Sequence, residues 1–203
     1  MTRQIILASG SPRRKDLLKQ MRLVFTAIPS DFEEHLDHSR PTIEVAKELG
    51  LGKARAVAES HPEAIVIGSD TIVTIGGKQL GKPVDESEAR DTLMQQAGEE
   101  VTVTTSVVVI CIELGLEIVD ADEAIVQFKP YSKAEHEKYL ATGDWADKAG
   151  SWGIQSGAAA LIENIQGNYD TILGLPTILL SKALQSVSVE SSSLTLAAPV
   201  PHK

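Results

Sequence analysis

The feature that most constrains the fold is a short apolar run near the start of the chain, which ends a few residues before a proline. Residues 5–7, Ile-Ile-Leu, are typical of a buried strand. Small residues follow, and Pro12 stands at the start of an amphipathic segment, where a helix tolerates proline. The sequence therefore predicts a strand that leads into a helix N-terminus, whose free N–H groups and positive dipole end attract anions.

The side chains at this junction suit a phosphorylated ligand. Arg13 and Arg14 fall in the first helical turn, beside the hydroxyls of Ser9 and Ser11. Guanidinium groups bind phosphate oxygens through two parallel hydrogen bonds. The alternative is that the serines only cap the helix and that the arginines are solvated. This segment by itself leaves both interpretations open.

Hydrophobic spacing along the rest of the chain indicates both helices and strands. We predict helices over residues 12–21, 42–60, 87–96, 132–142 and 175–185. We predict further strands over residues 24–29, 64–73, 101–112, 117–129 and 158–165. The two longest strands meet at a turn near Gly115 and predict an antiparallel hairpin, so the expected fold is mixed α/β. Gly50 and Gly52 count against the second helix, because glycine disfavours a helix interior.

Length and composition predict one domain with a short tail. The 203 residues, 42% of them hydrophobic, are enough for one core, and we predict a single domain over residues 1–185. From Ser186 the chain becomes rich in serine, so residues 186–203 are predicted to form a flexible tail. Cys111, the single cysteine, lies in an apolar run, which favours a buried thiol and excludes an internal disulfide. No membrane span or signal peptide is evident, and we expect a cytoplasmic protein without a membrane partner.

The charge of the chain bears on its partners. A net charge of −9 argues against general nucleic-acid binding, which requires a broad basic face. Aromatic residues make up 4% of the chain, too few for a series of stacking platforms on single strands. An acidic protein can still bind phosphate groups if its few cations converge in one cleft. We therefore expect no nucleic-acid partner.

One charged residue, Asp70, lies within the third predicted strand, and another, Lys82, follows the turn after it. Asp70 interrupts an apolar run, where it could bind a divalent cation or act as a general base on water; the alternative is a structural aspartate in a bulge. Residues 76–82 resemble a P-loop, but Pro83 stands where a serine or threonine should begin a helix, and we reject that motif. Lys82 is then either a phosphate-binding cation or a solvated lysine.

Two further segments carry candidate groups. Residues 31–34 are acidic, and one of the glutamates could join Asp70 around a metal ion; the alternative is a solvated acidic loop. Residues 147–157 are punctuated by glycines and contain Gln155. The amide of Gln155 offers a donor and an acceptor, which suits an imide edge such as that of uracil or thymine.

Taken in order along the chain, these pieces resemble the Maf family of nucleoside triphosphate pyrophosphatases. The matching stretches extend nearly to the tail and comprise residues 7–14, 30–34, 53–54, 68–71, 81–83, 147–150, 153–155 and 174–176. Each stretch is short, but the ordered set is specific. The resemblance implies an elongated α/β fold with a mixed sheet, two lobes and a central cleft, shared with the inosine-triphosphate pyrophosphatase group.

The resemblance also implies an activity. A Maf-like enzyme hydrolyses dTTP, UTP or a modified pyrimidine nucleotide between the α and β phosphates, giving the nucleoside monophosphate and pyrophosphate. It implies a divalent cation, Mg²⁺ or Mn²⁺, as cofactor, and a homodimer. The alternative, suggested by an older description of the family, is a non-catalytic nucleotide-binding regulator of cell division and septum formation.

Residue roles follow from the same resemblance. Four residues would hold the triphosphate: Ser9, Arg13, Lys53 and Lys82. Asp70 would be the base that activates water, and Glu34 and Asp70 would hold the metal ion. Three positions match the branch that prefers dTTP and UTP: Arg14, Thr71 and Gln155. Trp152 departs from the usual tyrosine and Ser156 from the usual glycine, which leaves the geometry of that loop open.

Overall fold

The structure, a computed structural model, describes residues 3–155 and 157–190. The strands in this part of the chain are β1 (Ile5–Leu7), β2 (Thr26–Ala27), β3 (Ile65–Gly68), β4 (Thr71–Ile75), β5 (Lys78–Leu80), β6 (Glu100–Cys111), β7 (Leu116–Phe128) and β8 (Ile162–Gln166). The helices are α1 (Pro12–Gln20), α2 (Thr42–Ala58), α3 (Glu86–Gln96), α4 (Lys133–Leu140), α5 (Tyr169–Leu173) and α6 (Thr177–Glu190). None of these helices is long and apolar enough to cross a membrane.

A long antiparallel hairpin forms the centre of the sheet. Strands β6 and β7 pair without interruption from Glu100 opposite Gln127 to Cys111 opposite Leu116. Side chains of β6 are buried along almost its whole length, because helices and loops cover the sheet there. The predicted hairpin is confirmed, and Cys111 is buried as expected.

The other edge of β6 pairs with two consecutive strands. Strands β3 and β4 are both antiparallel to β6 and keep one register, with Gly68 opposite Val108 and Thr71 opposite Thr105. β1 adds to β3 in parallel, while β5 adds to β4 in an antiparallel hairpin. The sheet is therefore mixed. The parallel pair β1 and β3 lies beside one half of β6, and the antiparallel pair β4 and β5 lies beside the other half. This confirms the mixed α/β fold that the sequence predicts.

The β4–β5 hairpin accounts for the motif that resembled a P-loop. Ile75 pairs with Lys78, so Gly76 and Gly77 form a two-residue turn. Both glycines have positive φ, +53° and +83°, as the tight hairpin turn that suits twisted strands requires. The glycines thus serve the turn, and the rejection of a P-loop is confirmed.

Helix α2 lies unusually close to the strand break between β3 and β4. A Cβ atom at Gly68 would lie 2.5 Å from the carbonyl oxygen of Gly50, and one at Gly50 would lie 2.3 Å from Ser106 Oγ. Gly50, which counted against a helix in the sequence, is therefore needed where helix and sheet meet. This close approach brings Lys53, on the buried face of α2, to the strand break.

The last helix extends beyond its predicted end at residue 185. Leu184 and Val187 are fully buried, so α6 still contacts the core at Val187, and the helix ends at Glu190. Residues 186–190 of the predicted tail are thus helical, because the apolar side chain of Val187 still contacts the core. Residues 191–203 of that tail lie outside the described residues.

Two local expectations about the end of the domain were wrong. Residues 158–161 belong to a 3₁₀ turn, and the strand begins only at Ile162. Helix α5 was not predicted, because its five residues are too few to give a helical period. Neither difference changes the order of the larger elements.

Candidate active site

Asp70 lies at the break between β3 and β4, opposite Ser106. The Asp70 N–H donates to Ser106 Oγ at 2.9 Å, while the Ser106 N–H donates to the Asp70 carbonyl oxygen at 2.9 Å. A side-chain hydroxyl therefore replaces one of the two carbonyl acceptors of a regular antiparallel pair. These two hydrogen bonds fix the backbone of Asp70. Asp70 is 5% exposed and lines a cavity of about 880 Å³. That volume is within the range of small-molecule sites.

Lys53 lies between two carboxylates. Its Nζ is 2.5 Å from Asp70 Oδ1 and 2.8 Å from Glu34 Oε1. Lys53 and Asp70 are both buried, whereas the Glu34 side chain is 39% exposed. Lys82 is more distant, with its Nζ 4.0 Å from the same Glu34 oxygen. The structure thus brings these four predicted residues together.

The Glu34 carboxylate is held in its charged form by its neighbours. Burial alone would raise the pKa of Glu34, but the hydrogen bond from Lys53 and the charges of Lys53 and Lys82 together lower it below its ordinary value. Glu34 is consequently an anion at neutral pH, available to a cation in the cavity.

Phe32 fixes the acidic loop that carries Glu34. The Phe32 ring lies directly over Gly52 of α2, so that a Cβ at Gly52 would be 2.3 Å from Phe32 Cζ. The second helix glycine is therefore also explained by a close approach, here of an aromatic ring. Through this contact the loop is seated on the same helix that carries Lys53.

Arg14 is hydrogen-bonded into the fold. Its Nε donates to the carbonyl oxygen of Gly174 at 2.7 Å, its Nη2 to Thr71 Oγ1 at 3.2 Å and its Nη1 to Ser9 Oγ at 3.3 Å. Burial is the main cause that lowers its pKa. Arg14 thus joins the start of α1 to β4 and to the loop before α6, and it is not the solvated arginine of the alternative interpretation.

Arg13 is different from its neighbour. It is half-buried and lines the cavity, and burial lowers its pKa. Within residues 3–155 and 157–190 the Arg13 guanidinium makes no hydrogen bond or ion pair. Ser11 caps α1 by accepting the Arg14 N–H at 3.5 Å, while Ser9 Oγ accepts the Ser11 N–H at 3.1 Å. Ser11 therefore has the capping role, whereas Arg13 faces the cavity unneutralised.

Gln155 is the predicted site residue that the structure does not bring to the others. It is exposed and does not line the cavity, although its neighbours Gly153 and Ile154 do. Residue 156 lies outside the described part of the chain. Of the three predicted selectivity positions, only Arg14 and Thr71 are in contact.

Sequence reasoning missed the polar residues behind the site. Ser69 Oγ donates to the Gly174 carbonyl oxygen at 2.9 Å, and Thr105 Oγ1 donates to the Thr171 carbonyl oxygen at 2.7 Å and lies 3.1 Å from Thr71 Oγ1. The side chains of Ser69, Thr105 and Ser106 are fully buried, in or beside apolar strands. Their signal in the sequence is a hydroxyl side chain inside a strand that is otherwise apolar, which indicates a buried polar partner without identifying it.

The carboxylates fit a divalent cation that also binds phosphate. No group of three or more His, Cys, Asp or Glu side chains suited to a metal occurs among the described residues. Asp70 and Glu34 nevertheless converge on one cationic group, the Lys53 ammonium. Mg²⁺ is commonly held by one or two carboxylates, with phosphate oxygens and water completing its coordination.

Comparison with known proteins identifies related chains. A family model described as Maf-like protein matches residues 4–187. A dTTP/UTP pyrophosphatase of Symbiobacterium thermophilum is 43% identical, over 85% of this chain and 88% of that protein. A dTTP/UTP pyrophosphatase of Dictyoglomus thermophilum is 41% identical, over 91% of this chain and 96% of that protein. Among solved structures, the Staphylococcus aureus Ham1 protein aligns with a TM-score of 0.47 at 13% identity, covering 63% of this chain and 73% of that one.

Proposed function

The chain belongs to the Maf-like protein family, and from that premise we propose that it is a nucleoside triphosphate pyrophosphatase acting on dTTP and UTP. It hydrolyses the nucleotide to the monophosphate and pyrophosphate. The observation that carries this proposal is the buried Asp70 carboxylate, which is hydrogen-bonded to Lys53 in a cavity that several other cations also line.

Asp70 is the proposed general base. Its Oδ1 accepts a hydrogen bond from Lys53, while Oδ2 makes no hydrogen bond to any residue that the structure describes. Oδ2 is thus available to accept a proton from water, whose oxygen attacks the α-phosphorus as the bond to the α–β bridging oxygen breaks. The bridging oxygen leaves with its electron pair as part of pyrophosphate. Lys53 fixes the orientation of the carboxylate.

The triphosphate requires several positive groups. We assign its binding to four residues: Ser9, Arg13, Lys53 and Lys82. Glu34 and Asp70 would hold Mg²⁺ or Mn²⁺, which would offset phosphate charge when bound. The hydrogen-bonded pair Arg14 and Thr71 is assigned to base selectivity, together with Gln155. A contact of Gln155 with a base would require residues 153–155 to approach the cavity.

Further aspects of the proposal rest on the family and the charge of the chain. We propose a homodimer that acts in the cytoplasm. The net charge of −9 argues against a nucleic-acid partner, whereas the cations that line the cavity support a nucleotide ligand bound there.

The proposed function is tested by a panel of nucleoside triphosphates with Mg²⁺ or Mn²⁺. We expect dTTP and UTP to be turned over with release of pyrophosphate, and purine nucleotides to be poorer substrates. Equal amounts of monophosphate and pyrophosphate would identify cleavage between the α and β phosphates. Release of inorganic phosphate alone would contradict the proposal, and tight dTTP binding without hydrolysis would favour the non-catalytic alternative.

Gly52→Ala tests the proposed metal site through the loop that carries Glu34. A Cβ at Gly52 would lie 2.3 Å from Phe32 Cζ, so the ring must move, and we expect Glu34 on the same loop to shift away from Lys53. We expect the Mn²⁺ concentration for half-maximal turnover to rise about 10-fold, the usual effect of disturbing groups that support a ligand. Asp91→Asn is the control, because Asp91 is exposed on α3 and does not line the cavity. An unchanged Mn²⁺ requirement in Gly52→Ala would exclude Glu34 from metal binding.

A further inference from the structure

The cations of the cavity differ in whether a carboxylate neutralises them. Lys53 has two carboxylate partners, and Lys82 lies near one of them. Two other cavity-lining cations, Arg13 and Lys148, form no ion pair among the described residues. The hydrogen bond of Lys148 is a long one, from its Nζ to the Ala146 carbonyl oxygen at 3.4 Å. The cavity is therefore lined both by cations that are paired with a carboxylate and by cations that form no ion pair.

Lys148 is held by a strained and well-anchored segment. Asp147 and Ser151, on either side of it, have φ of +59° and +65°, which non-glycine residues rarely adopt. Gly150 between them anchors the segment, since its N–H donates to the Gly81 carbonyl oxygen at 3.1 Å and its own carbonyl oxygen accepts from Gln96 Nε2 at 2.7 Å. Backbone strain of this kind persists where the surrounding structure enforces it, and it concentrates at functional sites.

The two cations without an ion-pair partner line the same cavity. Burial is the main cause that lowers the pKa of Lys148, and repulsion from Arg13 lowers it further. Asp144 and Asp147, of which Asp147 also lines the cavity, act in the opposite direction, but neither forms an ion pair with Lys148 in the described part of the chain. Two like charges that repel each other beside a cavity are unfavourable in the free protein, and a bound polyanion removes that cost.

We propose that Lys148 and Arg13 together bind the pyrophosphate half of the nucleotide, an assignment that rests on the proposed function. When the α–β bridging oxygen leaves with its electron pair, negative charge develops on the pyrophosphate. The two cations stabilise that charge, while Lys53 and Asp70 serve the attacking water. Lys148 is thereby a substrate-binding residue that the Maf resemblance did not assign.

Binding of inorganic pyrophosphate and of dTMP to the full chain, measured by calorimetry with Mg²⁺ present, tests this assignment. Lys148→Gln should weaken pyrophosphate binding about 10-fold or more, because a hydrogen bond between charged groups is lost. Binding of dTMP should remain unchanged, and Lys148→Arg should restore pyrophosphate binding to within about 3-fold. Lys78→Gln, an exposed lysine of the β4–β5 hairpin, is the matched control.

The outcomes separate this assignment from the proposed function. Normal pyrophosphate binding by Lys148→Gln, in a wild-type protein that hydrolyses dTTP, overturns the role of Lys148 alone. Equal weakening of pyrophosphate and dTMP binding also overturns it, because a general loss of positive charge would then explain the effect. A wild-type protein that binds pyrophosphate but hydrolyses no nucleotide contradicts the proposed function and leaves the pyrophosphate subsite supported.

Discussion

Asp70→Asn is expected to lower kcat for dTTP hydrolysis by about 10²–10⁴-fold, the range for loss of a general base. Asparagine has the shape of aspartate but cannot accept the proton of the attacking water. Nucleotide binding should persist, because Arg13 and Lys82 remain. Lys53 keeps Glu34 as an ion-pair partner in the variant, so its buried ammonium is not left unpaired. Steady-state release of pyrophosphate and calorimetric titration with a non-hydrolysable dTTP analogue measure the two effects.

The control for Asp70→Asn is Asp91→Asn, an exposed position on α3. It removes the same charge from the chain without touching the cavity, so kcat should be unchanged. Retention of full activity by Asp70→Asn would remove Asp70 from the role of base. Loss of nucleotide binding together with kcat would instead identify it as a binding or metal-holding residue.

Gly68→Ala is expected to reduce the free energy of unfolding by about 1–3 kcal/mol, the range for an overpacked interior. The added Cβ would lie 2.5 Å from the Gly50 carbonyl oxygen and 2.7 Å from Ala54 Cβ. A backbone atom cannot turn aside as a long side chain can, so α2 must move away from the sheet. Because α2 carries Lys53, turnover should fall as well. Urea denaturation and kcat measure the two effects.

The matched control for Gly68→Ala is Gly81→Ala. A Cβ at Gly81 would have Leu36 Cδ1 as its nearest neighbour, at an ordinary 3.7 Å. Its unfolding free energy should therefore stay within about 0.5 kcal/mol of that of the wild type. If Gly68→Ala were as stable and as active as the control, the close contact between α2 and the strand break would not determine the position of Lys53.

The two glycines of α2 illustrate the limit of propensity arguments. In the sequence, Gly50 and Gly52 count against a helix, since each costs helix stability. In the structure, α2 runs unbroken through both, because the sheet and the Phe32 ring approach the helix at these points. Helical periodicity correctly predicted the helix, but only the packing explains why it contains glycine.

The candidate site was predictable in part. Asp70 stood out because it interrupts an apolar strand, and the strand leading into α1 located Ser9 and Arg13; the structure places all three around one cavity. The position of Gln155 was not predictable, because a glycine-rich loop does not reveal which of its side chains faces inward. Lys148 lies in one of the stretches that match the Maf family, residues 147–150, but its residue type and spacing alone did not separate it from a solvated lysine.

The sequence by itself determined the elements and the inventory of charged groups, because hydrophobic period and residue type are local properties. Only the tertiary structure decided which of the cations are neutralised. Lys53 meets Asp70 across 17 residues of chain, and Arg14 meets Gly174 across 160. An ion pair depends on a few ångströms between groups that the fold brings together, and no local pattern encodes that distance. The free charges of Arg13 and Lys148 are for the same reason a property of the folded cavity.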